Sequence, residues 1–314
     1  MEDLSFSLNT VMPLLFIMAA GLFARRFNWL TESAIKQINH CVFHLFLPLL
    51  LCFHIMDTDI QTVVDGIPLI YALVATVVCF LIMFLLAPLL TKERSARGVL
   101  IQGISRSNYA IFGIPLVSMM YPGRDAAIAA IMVAVAVPVY NVMSTIALMV
   151  YGRTRNTGWK QIVLGILRNP LIAGTVVGLL LWRLQIRLPD PFNTPLRQLA
   201  GIATPLALFS LGASLNFRKA QANARLLAVS VAGRLFIVPL VFLPIAVVLG
   251  IRDVSLAVLI ALFASPLAVS SYPMAQQMGG DEDLAAAQVV FTTAFSILTV
   301  FLWVFAFRRF GFLG

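Results

Sequence analysis

Long apolar stretches separated by short polar connections recur from one end of the chain to the other. Ten of them are long enough to cross a bilayer as helices: 5–24, 38–56, 67–91, 97–120, 125–151, 162–182, 196–215, 226–250, 253–278 and 283–307. The connections predict no domain outside the membrane. The two longest, 153–161 and 185–194, hold Gly, Pro and Asn and read as linkers. The fourth stretch departs from the pattern, because residues 106–122 include Arg106, Asn108, Gly113 and Pro115. A lipid-facing helix avoids such residues, and Pro115 removes a backbone donor and clashes with the preceding turn. Freed backbone groups at membrane depth must be satisfied by protein or by a water-filled cavity. The stretch therefore predicts a helix interrupted at a binding site.

The chain repeats itself. Pro13, Pro48 and Pro115 recur as Pro170, Pro205 and Pro273, at offsets of 157, 157 and 158 residues, about half of the 314-residue chain. Gly21 and Arg26 recur as Gly178 and Arg183 at the same 157, and Gly123 recurs as Gly280. This divides the chain into a five-span repeat over 1–151, a linker over 152–161 and a second five-span repeat over 162–314. Five is odd, so the second repeat enters the membrane from the opposite side, the inverted architecture of many secondary transporters. Its counterpart to the interrupted fourth span lies in the ninth, where residues 264–273 read Ala-Ser-Pro-Leu-Ala-Val-Ser-Ser-Tyr-Pro. Two such breaks brought together as crossing half-helices would present free N–H groups and partial positive charge, which suits an anion. Asn108, Ser265, Ser270 and Ser271 could add hydrogen bonds, and Arg106 is the nearest fixed cation.

Composition narrows the classes. The chain is 61% hydrophobic and 11% charged, with mean hydropathy +0.96, an all-α membrane protein rather than a soluble domain. The net charge of +9 is not a nucleic-acid signature, because the basic residues sit mostly in short loops. Thirteen of them follow odd-numbered spans and seven lie on the other side, so positive-inside logic predicts a cell-membrane protein with both termini extracytoplasmic. The pair Arg25 and Arg26 follows the first apolar run, the reverse of a signal peptide, so that span is expected to be retained. All thirteen Asp and Glu fall in loops or near span ends. With no histidine or carboxylate expected in the core, a carboxylate proton relay is disfavoured. Cys41, Cys52 and Cys79 lack metal or redox spacing and read as small core residues. His40 and His44 share a helical face but lack a third ligand, so neither metal nor cofactor is expected. Asp281, Glu282 and Asp283 read as a cap on the last helix. A carrier fits better than a channel, which needs a continuous polar pore face. A membrane enzyme would need an intramembrane nucleophile and base, and Ser270 and Ser271 show no such partner.

Two motifs carry a resemblance. Residues 108–116, with Asn108 and then Gly113-Ile114-Pro115-Leu116, and the ninth span, with Ala264-Ser265-Pro266, Pro273 and Gly279-Gly280-Asp281 before an Ala-rich last span, are similar to the auxin efflux carrier family. That family includes plant PIN-type carriers and bacterial malonate permeases. The resemblance covers essentially the whole chain, without the long central loop of the plant proteins. It implies an NhaA-like crossover fold of ten transmembrane helices as a 5+5 inverted repeat, with spans 4 and 9 broken and crossing. Spans 1, 2, 6 and 7 would form a scaffold, and spans 3–5 and 8–10 a moving unit of an elevator-type carrier, expected as a homodimer. Mono- or dicarboxylates resembling auxin, malonate or malate are the implied substrates. Asn108, Pro115 and Pro273 are the implied substrate-site residues, with Tyr109, Gly113 and Ile114 of the same motif and Pro266 of the second.

Overall fold

A chain this apolar satisfies its backbone within helices. The computed structural model, which describes residues 2–57, 66–121, 127–152, 159–186, 188–216, 221 and 223–313, has no strand among those residues. In chain order the helices are α1 (Glu2–Arg26), α2 (Glu32–Met56), α3 (Gly66–Leu90), α4 (Arg94–Ser105), α5 (Tyr109–Met120), α6 (Ala127–Tyr151) and α7 (Trp159–Leu167). They continue with α8 (Pro170–Arg183), α9 (Asp190–Ser214), α10 (Ala224–Val248), α11 (Asp253–Ala264), α12 (Ser271–Gln277) and α13 (Glu282–Arg309). Six of these, α2, α3, α6, α9, α10 and α13, are long and apolar enough to cross a membrane. A seventh crossing results if α7 and α8, bent by 59°, count together. The bend has a local cause: Pro170 opens α8, and the Asn169 side chain caps it by accepting from the Leu171 N–H at 2.9 Å. The apolar stretches 97–120 and 253–278 are each split, into α4 and α5 and into α11 and α12.

Packing gives the first sign of a frame. Helix α1 lies along α9, and α2 along α8. A Cβ on Gly21 would stand 1.9 Å from the Phe209 carbonyl oxygen, and one on Gly178 would stand 2.7 Å from that of Cys52. The two contacts interchange under the offset noted above: Gly178 lies 157 residues after Gly21, and Cys52 lies 157 before Phe209. Gly212 against Met18 and Gly174 against Pro48 add further backbone contacts on the same helix pairs. Such close approach yields dispersion contacts that lipid cannot match. On the bilayer side, α3 exposes Ile70, Leu81, Leu85 and Leu89, apolar side chains suited to hydrocarbon.

Two helices carry a wider, π-type turn, Val42–Phe46 in α2 and Gly233–Ile237 in α10. In α10 the Trp303 indole of α13 donates to the Leu235 carbonyl at 2.9 Å. The turn carries Arg234 into the interior. Cys52 and Cys79 are buried, but Cys41 is exposed, which corrects the expectation of three core thiols. In a membrane protein an apolar run also faces lipid, so apolarity does not imply burial. The connection at 122–126 with Gly123, the linker residues 153–158, and Arg218 with Lys219 lie outside the described residues.

Candidate functional site

The interruption between α4 and α5 is a rearrangement of main-chain hydrogen bonds. In a continuous helix the Asn108 N–H would donate to the Ile104 carbonyl, four residues back. Here the Asn108 N–H donates to the Pro266 carbonyl at 2.8 Å, across to the segment between α11 and α12. The Ile104 and Ser105 carbonyls accept from the Arg234 guanidinium at 3.3 and 3.4 Å. The break between α11 and α12 is related. Pro266 has no N–H to give the Leu262 carbonyl, and Arg234 donates to it instead at 2.7 Å and to the Ser265 carbonyl at 2.8 Å. The two breaks therefore meet backbone to backbone, and one buried arginine joins the C-terminal ends of α4 and α11.

Arg106 lies in the first break and is 3% exposed. Its partners are neutral: Ser270 Oγ at 2.7 Å, Asn141 Oδ1 at 2.9 Å and Met274 Sδ at 3.1 Å. Around it stand donors that find no acceptor among the described residues, namely Asn108 Nδ2, Asn141 Nδ2 and the Ser107 hydroxyl. No Asp or Glu is buried among the described residues. Desolvated donors and a desolvated cation are each unfavourable unless an acceptor arrives.

Arg106, Asn108 and Ser270 border a cavity of about 60 Å³ between the crossing and the frame, several times the space that one water needs. Its opposite wall is Leu47, Leu51 and His54 of α2 with Thr204 and Ala207 of α9. His54 corrects the expectation that no histidine reaches the core. It stands in the last turn of α2, but α2 flanks the crossing, so even its end faces the cavity. Elsewhere on the crossing unit α12 is bonded to the frame. Tyr272 donates to Ser214 at 2.5 Å, Asn39 to Gln276 at 2.8 Å, and Ser210 to Asn39 at 2.6 Å. Gln276 in turn donates to Glu282 of α13 at 2.7 Å.

The other expected site residues are placed differently. Ser265, Pro266 and Ser271 are buried at the crossing but do not border the cavity. The Ser265 hydroxyl donates to the Ala261 carbonyl, and Ser271 accepts at its carbonyl from Gln102 at 3.2 Å. The Tyr109 hydroxyl turns to α6 and donates to the Ala129 carbonyl at 3.0 Å. Gly113 makes room for that ring, since a Cβ would stand 2.4 Å from its Cζ. The Ile114 side chain lies outside the described residues. Pro115 is exposed within an unbroken α5, so it does not interrupt the helix as expected. Pro273 is the third residue of α12, where a missing N–H leaves no helical bond unmade. Pro115→Ala and Pro273→Ala are therefore expected to keep near-wild-type activity per mole of purified protein. Pro266→Ala should impair it, because the restored N–H competes with Arg234 for the Leu262 carbonyl. Equal loss in all three variants would contradict this assignment of the break.

His40 and His44 lie with ring centroids 4.0 Å apart and planes tilted by 34° at an exposed position. No cluster of three metal-ligating side chains occurs among the described residues. Asp281 caps α13 as expected, accepting from the Leu284 N–H at 2.9 Å. Sequence reasoning missed Tyr140, Thr204 and His54, which border the cavity, and Asn141, which accepts from Arg106. Only the rarity of Asn141 within an apolar run could have signalled one of them.

Comparison with protein families decides the larger question. A family described as membrane transport protein matches residues 6–161 and 153–304, nearly the whole chain. The chain belongs to the auxin efflux carrier family. No curated protein matches it. The membership makes this carrier-family protein a multi-pass membrane transporter, and the family is not one of enzymes. It also agrees with the resemblance carried by residues 108–116 and by the ninth span.

Proposed function

We propose that the protein is a secondary carrier of small organic anions, mono- or dicarboxylates, which bind at the crossing beside Arg106. The observation that carries this reading is the charge balance of the two buried arginines. A helix end carries roughly half an elementary charge, so the C-termini of α4 and α11 together amount to about one negative charge, which Arg234 offsets. Arg106 has no such counterpart. It adds to the positive N-terminus of α5, with unfilled amide and hydroxyl donors around it. The seven-residue α12 contributes less, because a short helix sums few peptide dipoles. A carboxylate supplies the acceptors that this arrangement lacks, and arginine's planar fork matches it in two hydrogen bonds.

Several features support alternating access. The exchanged Gly21 and Gly178 contacts fit an inverted 5+5 repeat. Ten spans result when α1 and the two broken pairs are added to the seven crossings. The backbone-to-backbone packing of α1, α2, α8 and α9 suits a rigid scaffold, and the remaining helices would move against it as an elevator, in a homodimer. The cavity and the α12 bonds would then belong to its two faces. The basic-residue bias supports a cell-membrane protein with both termini outside the cytoplasm.

The test is uptake into proteoliposomes of a panel of mono- and dicarboxylates under imposed proton, sodium and voltage gradients. Saturable uptake that the panel members compete for is expected. Unitary currents would establish a channel instead, and conversion of the substrate an enzyme.

A further inference from the structure

Arg234 is fully buried, and among the described residues its guanidinium is bonded to main chain alone. Four carbonyl oxygens converge on it, those of Ile104 and Ser105 from α4 and those of Leu262 in α11 and Ser265 just after it, at 2.7–3.4 Å. The surroundings are arranged to admit it. The π-type turn at Gly233–Ile237 directs it inward. Gly233 lets α10 approach α4, where a Cβ would already stand 3.0 Å from the Ile104 side chain. Pro266 withholds the N–H that would otherwise occupy the Leu262 carbonyl. Main-chain oxygens at unwound, C-terminal half-helix ends are where carriers with interrupted helices bind their coupling cations.

We propose that Arg234 is a tethered substitute for such a cation: its guanidinium fills a monovalent-cation site of main-chain oxygens, so the crossing holds together and transports without sodium. The sodium clause rests on the anion-carrier reading. The occupancy of the site by a built-in cation does not. Two negative helix ends a few ångströms apart repel one another, and an unfilled site would splay the crossing. A mobile ion would make closure depend on its concentration, whereas a covalently held one makes it permanent. In this arrangement the binding site for the substrate anion stays assembled in every ionic condition.

The test has two arms. In the first, wild-type anion uptake and binding are measured with sodium chloride replaced by choline chloride, and no change is expected. Sodium-dependent uptake or affinity would overturn the proposal. In the second, the Tm of purified Arg234→Ala is measured with low-concentration guanidinium, sodium or urea added. A large drop in Tm is expected, mostly recovered by guanidinium and partly by sodium, but not by urea, which has a similar shape without the charge. Full stability without any cation, or equal recovery by urea, would overturn the proposal, as would a loss that no cation relieves. Should Arg234→Ala not fold, Arg234→Lys against Arg234→Gln replaces it, with the charged variant retaining most of the wild-type Tm and the neutral one losing it. Equal behaviour of that pair, folded or not, would count against the proposal. Because the Tm needs no substrate, cation rescue in a protein that binds no carboxylate would sink the anion-carrier reading and leave this one standing.

Discussion

Arg106→Gln is expected to remove most of the anion affinity while leaving the yield of folded protein intact. Truncating one partner of a desolvated charge pair changes binding by about 2–5 kcal/mol, roughly 30- to 4000-fold in Kd. The effect on stability should have the opposite sign. The guanidinium is buried with Ser270, Asn141 and Met274 as its partners among the described residues, and a buried charge without a counter-ion is a burden on the fold. Its neutral replacement should hold or raise the Tm. Arg106→Lys should recover part of the affinity, since an ammonium keeps the charge but loses the two-pronged geometry. Titration of carboxylates into the purified variants, with a thermal melt of each, reads both effects. Unchanged affinity in Arg106→Gln would leave Arg106 as a structural group only.

The second large effect is expected in the frame. A Cβ on Gly212 would lie 1.8 Å from the Met18 carbonyl oxygen, 2.6 Å from its carbonyl carbon and 2.8 Å from its Cα. These are backbone atoms of another helix, so no rotamer change relieves the clash, and α1 and α9 must separate by more than an ångström. Overpacking of this kind costs about 1–3 kcal/mol and sometimes more, against a gain of up to about 1 kcal/mol in helix propensity for Gly→Ala. Gly212→Ala should therefore melt well below wild type, and Gly21→Ala likewise. Gly201→Ala on the same helix α9 is the control, because nothing lies within 4 Å of its Cβ position. It should be neutral or slightly stabilising. A frame that tolerated Gly212→Ala as well as Gly201→Ala would not be the rigid element that an elevator needs.

What the sequence disclosed, it disclosed through local chemistry. Apolar length marked the spans, and polar residues inside them marked the fourth and ninth as exceptional. The 157-residue recurrence of Gly21 and Gly178 was visible without its meaning, which is close approach of backbones. Arg106, Asn108 and Ser270 were singled out from their own segments, and all three border the cavity. The misreadings concern what lies between segments. From sequence Pro115 reads as the interruption, because proline is the strongest local helix breaker. The actual break comes from partners that no local pattern contains: Pro266 for the Asn108 N–H and Arg234 for the Ile104 carbonyl. Likewise His54 and Thr204 reach the cavity only through the packing of α2 and α9 against the crossing. A residue opposite the site, more than fifty positions away in the chain, carries no mark of it.

The central claim is that a small carboxylate is held at the crossing by Arg106, and a structure determined with such an anion at saturating concentration tests it most directly. The carboxylate oxygens should lie within about 3 Å of the Arg106 guanidinium and the Asn108 amide, with Arg234 still bonded to the ends of α4 and α11. An anion bound away from the crossing, with Arg106 still held by Ser270 and Asn141 alone, would contradict the account.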